Sequence, residues 1–128
     1  MLVAATVFAV SAALFHVVAF VLESVLWMRP AVFRRFGIVS QDEANTLKTM
    51  AYNQGFYNLA LGLGVLVGVV MLWQTGNTFI AGKAVIVFGT AGMSSAGLVL
   101  ASSGPSYLRS ACAQFFPSAL ALGLTLAT

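Results

Sequence analysis

Apolar residues run almost without interruption from Leu2 to Met28, from about Lys48 to Trp73 and from Lys83 to Ser102, and a thinner run covers Ser110 to Ala127. Runs this long with so few charges predict membrane-spanning helices rather than core segments of a soluble fold. The first run has no basic residue before Arg29 and exceeds the apolar part of a cleaved signal peptide, so it reads as a span. Between the runs the polar positions act as punctuation. Pro30 is expected to end the first helix, because the residue before a proline is pushed out of helical geometry. Ser40-Gln-Asp-Glu43 reads as a capping box that starts the second helix near Gln41, with bilayer entry around Lys48 to Met50. Gln74 to Gly82 reads as a loop, and Ser102-Ser-Gly-Pro105 as a stop. Pro117 either kinks the last helix or marks where its regular part begins.

The pattern therefore predicts an all-α polytopic membrane protein. It forms one domain over residues 1–128, an up-down bundle of four transmembrane helices with spans near 2–28, 48–73, 83–102 and 110–127. Arg29, Arg34, Arg35, Lys48 and Arg109 fall on one side of such a bundle and Lys83 alone on the other. The positive-inside rule then sets both termini outside the cytoplasm. Trp27, Trp73 and Tyr107 lie near span ends and read as interface anchors. Two lines of small residues, Ala60-Gly64-Gly68 and Gly89-Gly92-Ala96, predict close helix contact, within one bundle in preference to between subunits.

Composition agrees. Hydrophobic residues make up 60% of the chain and charged ones 7%, with a mean hydropathy of +0.98, which excludes a soluble domain. The net charge of +3 sits in loops with no basic stripe interleaved with exposed aromatics, so nucleic acid is excluded as a partner. Cys112 is the single cysteine, which excludes an internal disulfide or a cysteine metal cluster. One histidine and no Glu-x-x-His motif leave no basis for a metal site. No lysine lies deep in a span to anchor a Schiff base.

One stretch breaks the apolar pattern inside a span. Met50 to Asn58 (MAYNQGFYN) places Tyr52, Asn53, Gln54, Tyr57 and Asn58 in two and a half turns of helix. Amides are costly in hydrocarbon unless another helix or a ligand satisfies them. The first span holds the histidine, His16, and the one intramembrane carboxyl, Glu23. They are seven residues apart, within about 20° on a helical wheel and roughly 10 Å along the axis. Trp27 lies one turn further on nearly the same line. Matching depths across the first two helices brings Glu23 opposite Asn53 and Gln54, with Asn58 a turn deeper towards Phe20 and His16. The bland alternative is that the amides are packing glue between helices and that Glu23 is a satisfied neutral partner. An intramembrane ionisable group weighs against that alternative.

His16, Glu23-x3-Trp27-x2-Pro30, Phe36-Gly37, Lys48 and above all Asn53-Gln-Gly-x-Tyr57-Asn58 with Gly62 give the chain a recognisable signature. It resembles a family of small bacterial integral membrane proteins known as domain of unknown function thirteen hundred and four. The resemblance covers the whole chain and implies a four-span protein of the bacterial cytoplasmic (inner) membrane. It also implies that His16, Glu23, Trp27, Asn53, Gln54, Tyr57 and Asn58 are motif positions, and it supplies no activity.

Three functions are compatible with these residues. The first is binding of a lipophilic molecule with a polar head, a lipid or a quinone, at His16, Glu23, Trp27, Asn53, Gln54, Tyr57 and Asn58. In that reading the protein holds no dedicated cofactor. Its partners are membrane lipids, a larger membrane complex that it serves as accessory subunit, or further copies of itself. The second is a membrane-embedded enzyme with His16 or Glu23 as acid or base. The third is a small proton-coupled transporter relaying protons along the same line. The abundance of amides, which orient ligands but rarely do chemistry, favours the first.

Overall fold

Every regular element of the chain is helical, as its hydrophobic patterning requires. The computed structural model describes all residues, Met1–Thr128. It contains α1 (Leu2–Phe20), α2 (Pro30–Phe33), α3 (Gln41–Leu72), α4 (Gly76–Ser102) and α5 (Leu108–Leu126). Short 3₁₀ turns occur at Arg34–Phe36 and Pro105–Tyr107. Three helical stretches, Leu2–Val25, Gln41–Leu72 and Gly76–Ser102, are long and apolar enough to cross a membrane. The fourth expected span is not among them. Arg109, Ser110, Gln114, Ser118 and Thr125 dilute the apolar character of α5.

The first helix ends earlier than the sequence suggests. Regular α geometry stops at Phe20 and a π turn follows over Val21–Val25, with the Leu26 amide donating to the Val21 carbonyl at 2.9 Å. Pro30 does not end this helix but opens α2, where its missing N–H costs nothing. Arg29 before it is extended (φ −79°, ψ 128°), the conformation a following proline favours.

The capping box forms as expected. The Glu43 amide donates to Ser40 Oγ at 3.2 Å, and α3 begins at Gln41. The Glu43 carboxylate reaches one residue further back than the usual pattern and accepts from the Val39 amide at 3.2 Å. Gly37 (φ 80°) supplies the left-handed turn that brings the chain round to this point.

The expected loop over Gln74 to Gly82 is instead only Trp73–Thr75, and α4 starts at Gly76. Gly82 is not a breaker. It is the point of close approach between α4 and α3, where a Cβ would lie 2.7 Å from the Leu72 amide nitrogen and 2.8 Å from the Gly68 carbonyl oxygen. The third helix thus begins seven residues before the expected Lys83. The last begins at Leu108 rather than Ser110, so Pro117 is interior to α5 and does not mark its start.

The chain forms two compact units, His16–Ala60 and Met1–Phe15 with Leu61–Thr128. The second is built on a core of Ala9, Ala12, Ala13, Val65, Val69, Leu72, Ile86, Met93 and Ala121. Small residues on α1 let the helices approach, and Gly68 and Gly89 do the same where Ile86 and Val65 press against them. Trp73 Nε1 donates to Thr6 Oγ1 at 3.0 Å. Between α4 and α5, Ser94 Oγ donates to Ser118 Oγ at 2.9 Å, and the Gln114 amide donates to the Met93 carbonyl at 3.2 Å. Lys83 Nζ donates to the Leu126 carbonyl at 3.3 Å, a cation at the negative end of α5.

Candidate functional site

The unit His16–Ala60 holds the polar groups singled out from the sequence. Its core is Trp27, Phe33, Ile38, Ala44 and Ala51, with Met28, Phe36 and Leu47 packed against it. The segment after α1 therefore lies along the first turns of α3 rather than ending in solvent. Trp27 pins it there. The indole is buried, its Nε1 donates to the Ala44 carbonyl at 2.9 Å, and its ring meets Phe36 at 5.3 Å between centroids, tilted by 57°. Trp27 is thus a core residue, not a free interface anchor.

One turn earlier the π turn that follows α1 meets the backbone of α3. Ser24 Oγ donates to the Tyr52 carbonyl at 2.8 Å, and a Cβ on Gly55 would overlap that same hydroxyl. Any larger residue at position 55 would have to push Ser24 aside. Phe20 and Phe56 close the other side in an edge-on pair at 5.1 Å.

This crossing fixes the partner of Glu23. Glu23 Oε2 accepts from Asn58 Nδ2 at 2.7 Å, so Asn58, rather than Asn53, meets the carboxyl. Glu23 is half-buried, its Oε1 accepts no hydrogen bond from the protein, and no lysine or arginine pairs with it. Beside it lies an open cleft of about 310 Å³ lined by Glu23, Trp27, Phe36, Ile38, Leu47, Met50, Ala51 and Gln54. The polar side chains in that wall are one carboxyl and one amide. The indole N–H is already committed to Ala44, so Trp27 offers the cleft only its ring.

The remaining motif residues lie elsewhere. His16 is fully buried and does not line the cleft, whereas Asn53 and Tyr57 are exposed on α3. The π turn between His16 and Trp27 also breaks the common line that regular helical spacing would give them. Several lining residues were not marked by the sequence. Leu47, Met50 and Ala51 share a face with Gln54 at helical spacing, a readable signal. Phe36, marked only as part of the signature, and Ile38 come from the segment between α2 and α3 and carry no such periodic signal.

No curated protein and no solved structure matches the chain. A family model described as protein of unknown function (DUF1304) does match, over residues 10–126. With nearly the whole chain matched, and with helices long and apolar enough to cross a membrane, the protein belongs to the DUF1304 family.

Proposed function

We propose that this chain is a four-span protein of the bacterial cytoplasmic membrane, both termini outside the cytoplasm, that binds an amphiphile by its polar head in the Glu23–Gln54 cleft. The observation that carries this reading is a carboxyl with one oxygen held by Asn58 and the other unclaimed, set with the Gln54 amide in a wall that is otherwise apolar and aromatic. Apolar clefts with a few convergent polar groups are the usual form of small-molecule sites. At about 310 Å³ the cleft stands at the small end of their range, roughly 300 to 1,000 Å³, so it suits a head group or single ring whose tail stays in the bilayer. A lipid and a quinone both meet that description.

Native mass spectrometry of the gently purified protein tests the reading. A stoichiometric amphiphile is expected on the wild type and depleted from Glu23→Gln and Gln54→Ala. A protein that stays free of bound amphiphile, or variants that retain it fully, would sink the proposal. Cysteine labelling from either side of the membrane, with Cys112→Ala as background, tests the topology: positions near Thr128 and Gly76 should react from outside the cytoplasm.

A second role is favoured by Asn53 and Tyr57, which expose an amide and a phenol on a helix apolar enough to cross a membrane. A larger complex or a second copy covering that face would satisfy them. Crosslinking through Asn53→Cys in intact membranes tests this, and products confined to monomer would exclude it. The enzymatic reading gains no such support, because His16 is not among the lining residues and Glu23 stands in the cleft without a second acid or base.

A further inference from the structure

The wall of the cleft also selects the charge of what enters it. We infer that the head group is an organic ammonium, a proposal that rests on the binding role given above. A carboxylate is an acceptor only, and Glu23 faces the cleft with an oxygen that no donor in the protein occupies. No arginine or lysine lines the cleft, so an anionic head would meet a carboxylate with nothing to offset the repulsion. Trp27 and Phe36 form two adjoining aromatic walls beside that carboxylate. A cation placed over such rings, within about 6 Å of the centroid, is attracted by their quadrupoles, and aromatic cages recognise quaternary ammonium groups this way. The three side chains thus supply both parts of an ammonium site, a counter-charge and π faces. A quinone, whose carbonyls only accept hydrogen bonds, would find a single donor in the Gln54 amide.

The surroundings extend the match to a zwitterion. Arg35 and Lys48 are exposed and adjoin the lining residues Phe36 and Leu47 in sequence. Within one residue of the lining, they put two positive charges on the same segments for a phosphate that remains outside the cleft while the ammonium enters. The ammonium is therefore the shared chemistry, and a zwitterionic lipid head or a free amphiphilic amine can supply it.

The test uses the full chain in dodecyl maltoside micelles with Trp73→Phe, so that Trp27 is the sole indole. Dodecyltrimethylammonium, dodecylphosphocholine and the neutral N,N-dimethyldodecanamide are titrated while Trp27 fluorescence is followed. Saturable binding of the ammonium probes is expected, at least about tenfold tighter than of the amide and weakened about tenfold by Glu23→Gln. Phe36→Leu should weaken it severalfold. Glu23→Gln keeps an acceptor for Asn58, and unchanged helical circular dichroism verifies that the fold persists. Tighter binding of dodecylphosphocholine identifies the lipid source, and binding of dodecyltrimethylammonium alone identifies a free amine. Equal binding of the neutral amide overturns the ammonium assignment but leaves the amphiphile role standing. No saturable binding by any probe overturns both.

Discussion

Asn58 donates from Nδ2 to Glu23 Oε2 at 2.7 Å, joining positions 35 residues apart in the chain. The bond does two things at once. It satisfies an amide that hydrocarbon would penalise, and it fixes one carboxylate oxygen so that the other is left for the cleft. Asn58→Ala should cost about 1 kcal/mol, in keeping with hydrogen bonds measured between membrane helices. Asn58→Asp should cost more, because two carboxyls then face each other. Thermal unfolding in detergent reads both, and an aspartate variant as stable as the alanine one would argue that the carboxyl has turned away.

Where the π turn after α1 crosses α3, Gly55→Ala is expected to destabilise the protein by about 1–3 kcal/mol, the usual range for overpacking. The new methyl displaces the Ser24 hydroxyl from the Tyr52 carbonyl. Part of the loss should return in Ser24→Gly/Gly55→Ala, where the obstructing side chain is gone. Lack of any recovery in the double variant would place the strain elsewhere.

Trp27 combines packing with one hydrogen bond, and two substitutions separate them. Trp27→Phe keeps most of the ring but loses the donor to Ala44 and should cost about 1 kcal/mol. Trp27→Ala removes the centre of the smaller core and should cost about 3–5 kcal/mol. Similar melting temperatures for the two variants would contradict this division.

Glycines in the second unit divide into two kinds. Gly82→Ala drives a methyl into backbone atoms of α3 that cannot move aside, and about 1–3 kcal/mol of destabilisation is expected. Gly64→Ala and Gly92→Ala meet open space in this chain. They should be neutral or stabilise by up to about 1 kcal/mol through helix propensity. A marked loss at either would show that another molecule packs against that position in the membrane.

Much of this anatomy could be read from the residues, and the exceptions have physical reasons. Ser40 and Glu43 announced the start of α3 because capping is a local interaction. Gly76 and Gly82 suggested a loop because glycine permits both a turn and a close approach, and sequence alone does not separate the two uses. For Glu23 the error was one of depth. The segment 26–40 folds back along α3, so α3 extends about 16 Å below the point where Ser24 meets Tyr52. The carboxyl consequently takes its hydrogen bond from Asn58, one turn beyond Asn53 and Gln54, while Gln54 shares its cleft wall as the depth matching expects. Gln54 and Asn58 were readable as one polar face. The aromatic wall from Phe36 depends on a loop whose path only tertiary packing sets.

The wider helical turn at Val21–Val25 holds one residue more than an α-helix would take for the same arc. Removing one amino acid there should let the segment relax to ordinary winding over the same arc, whereas winding all of its residues as an α-helix would swing everything after it by roughly 100°. The indole of Trp27 would then leave the Ala44 carbonyl while its neighbours kept their chemical identity. Chain length in this short arc, as much as residue type, is thus what aims the ring.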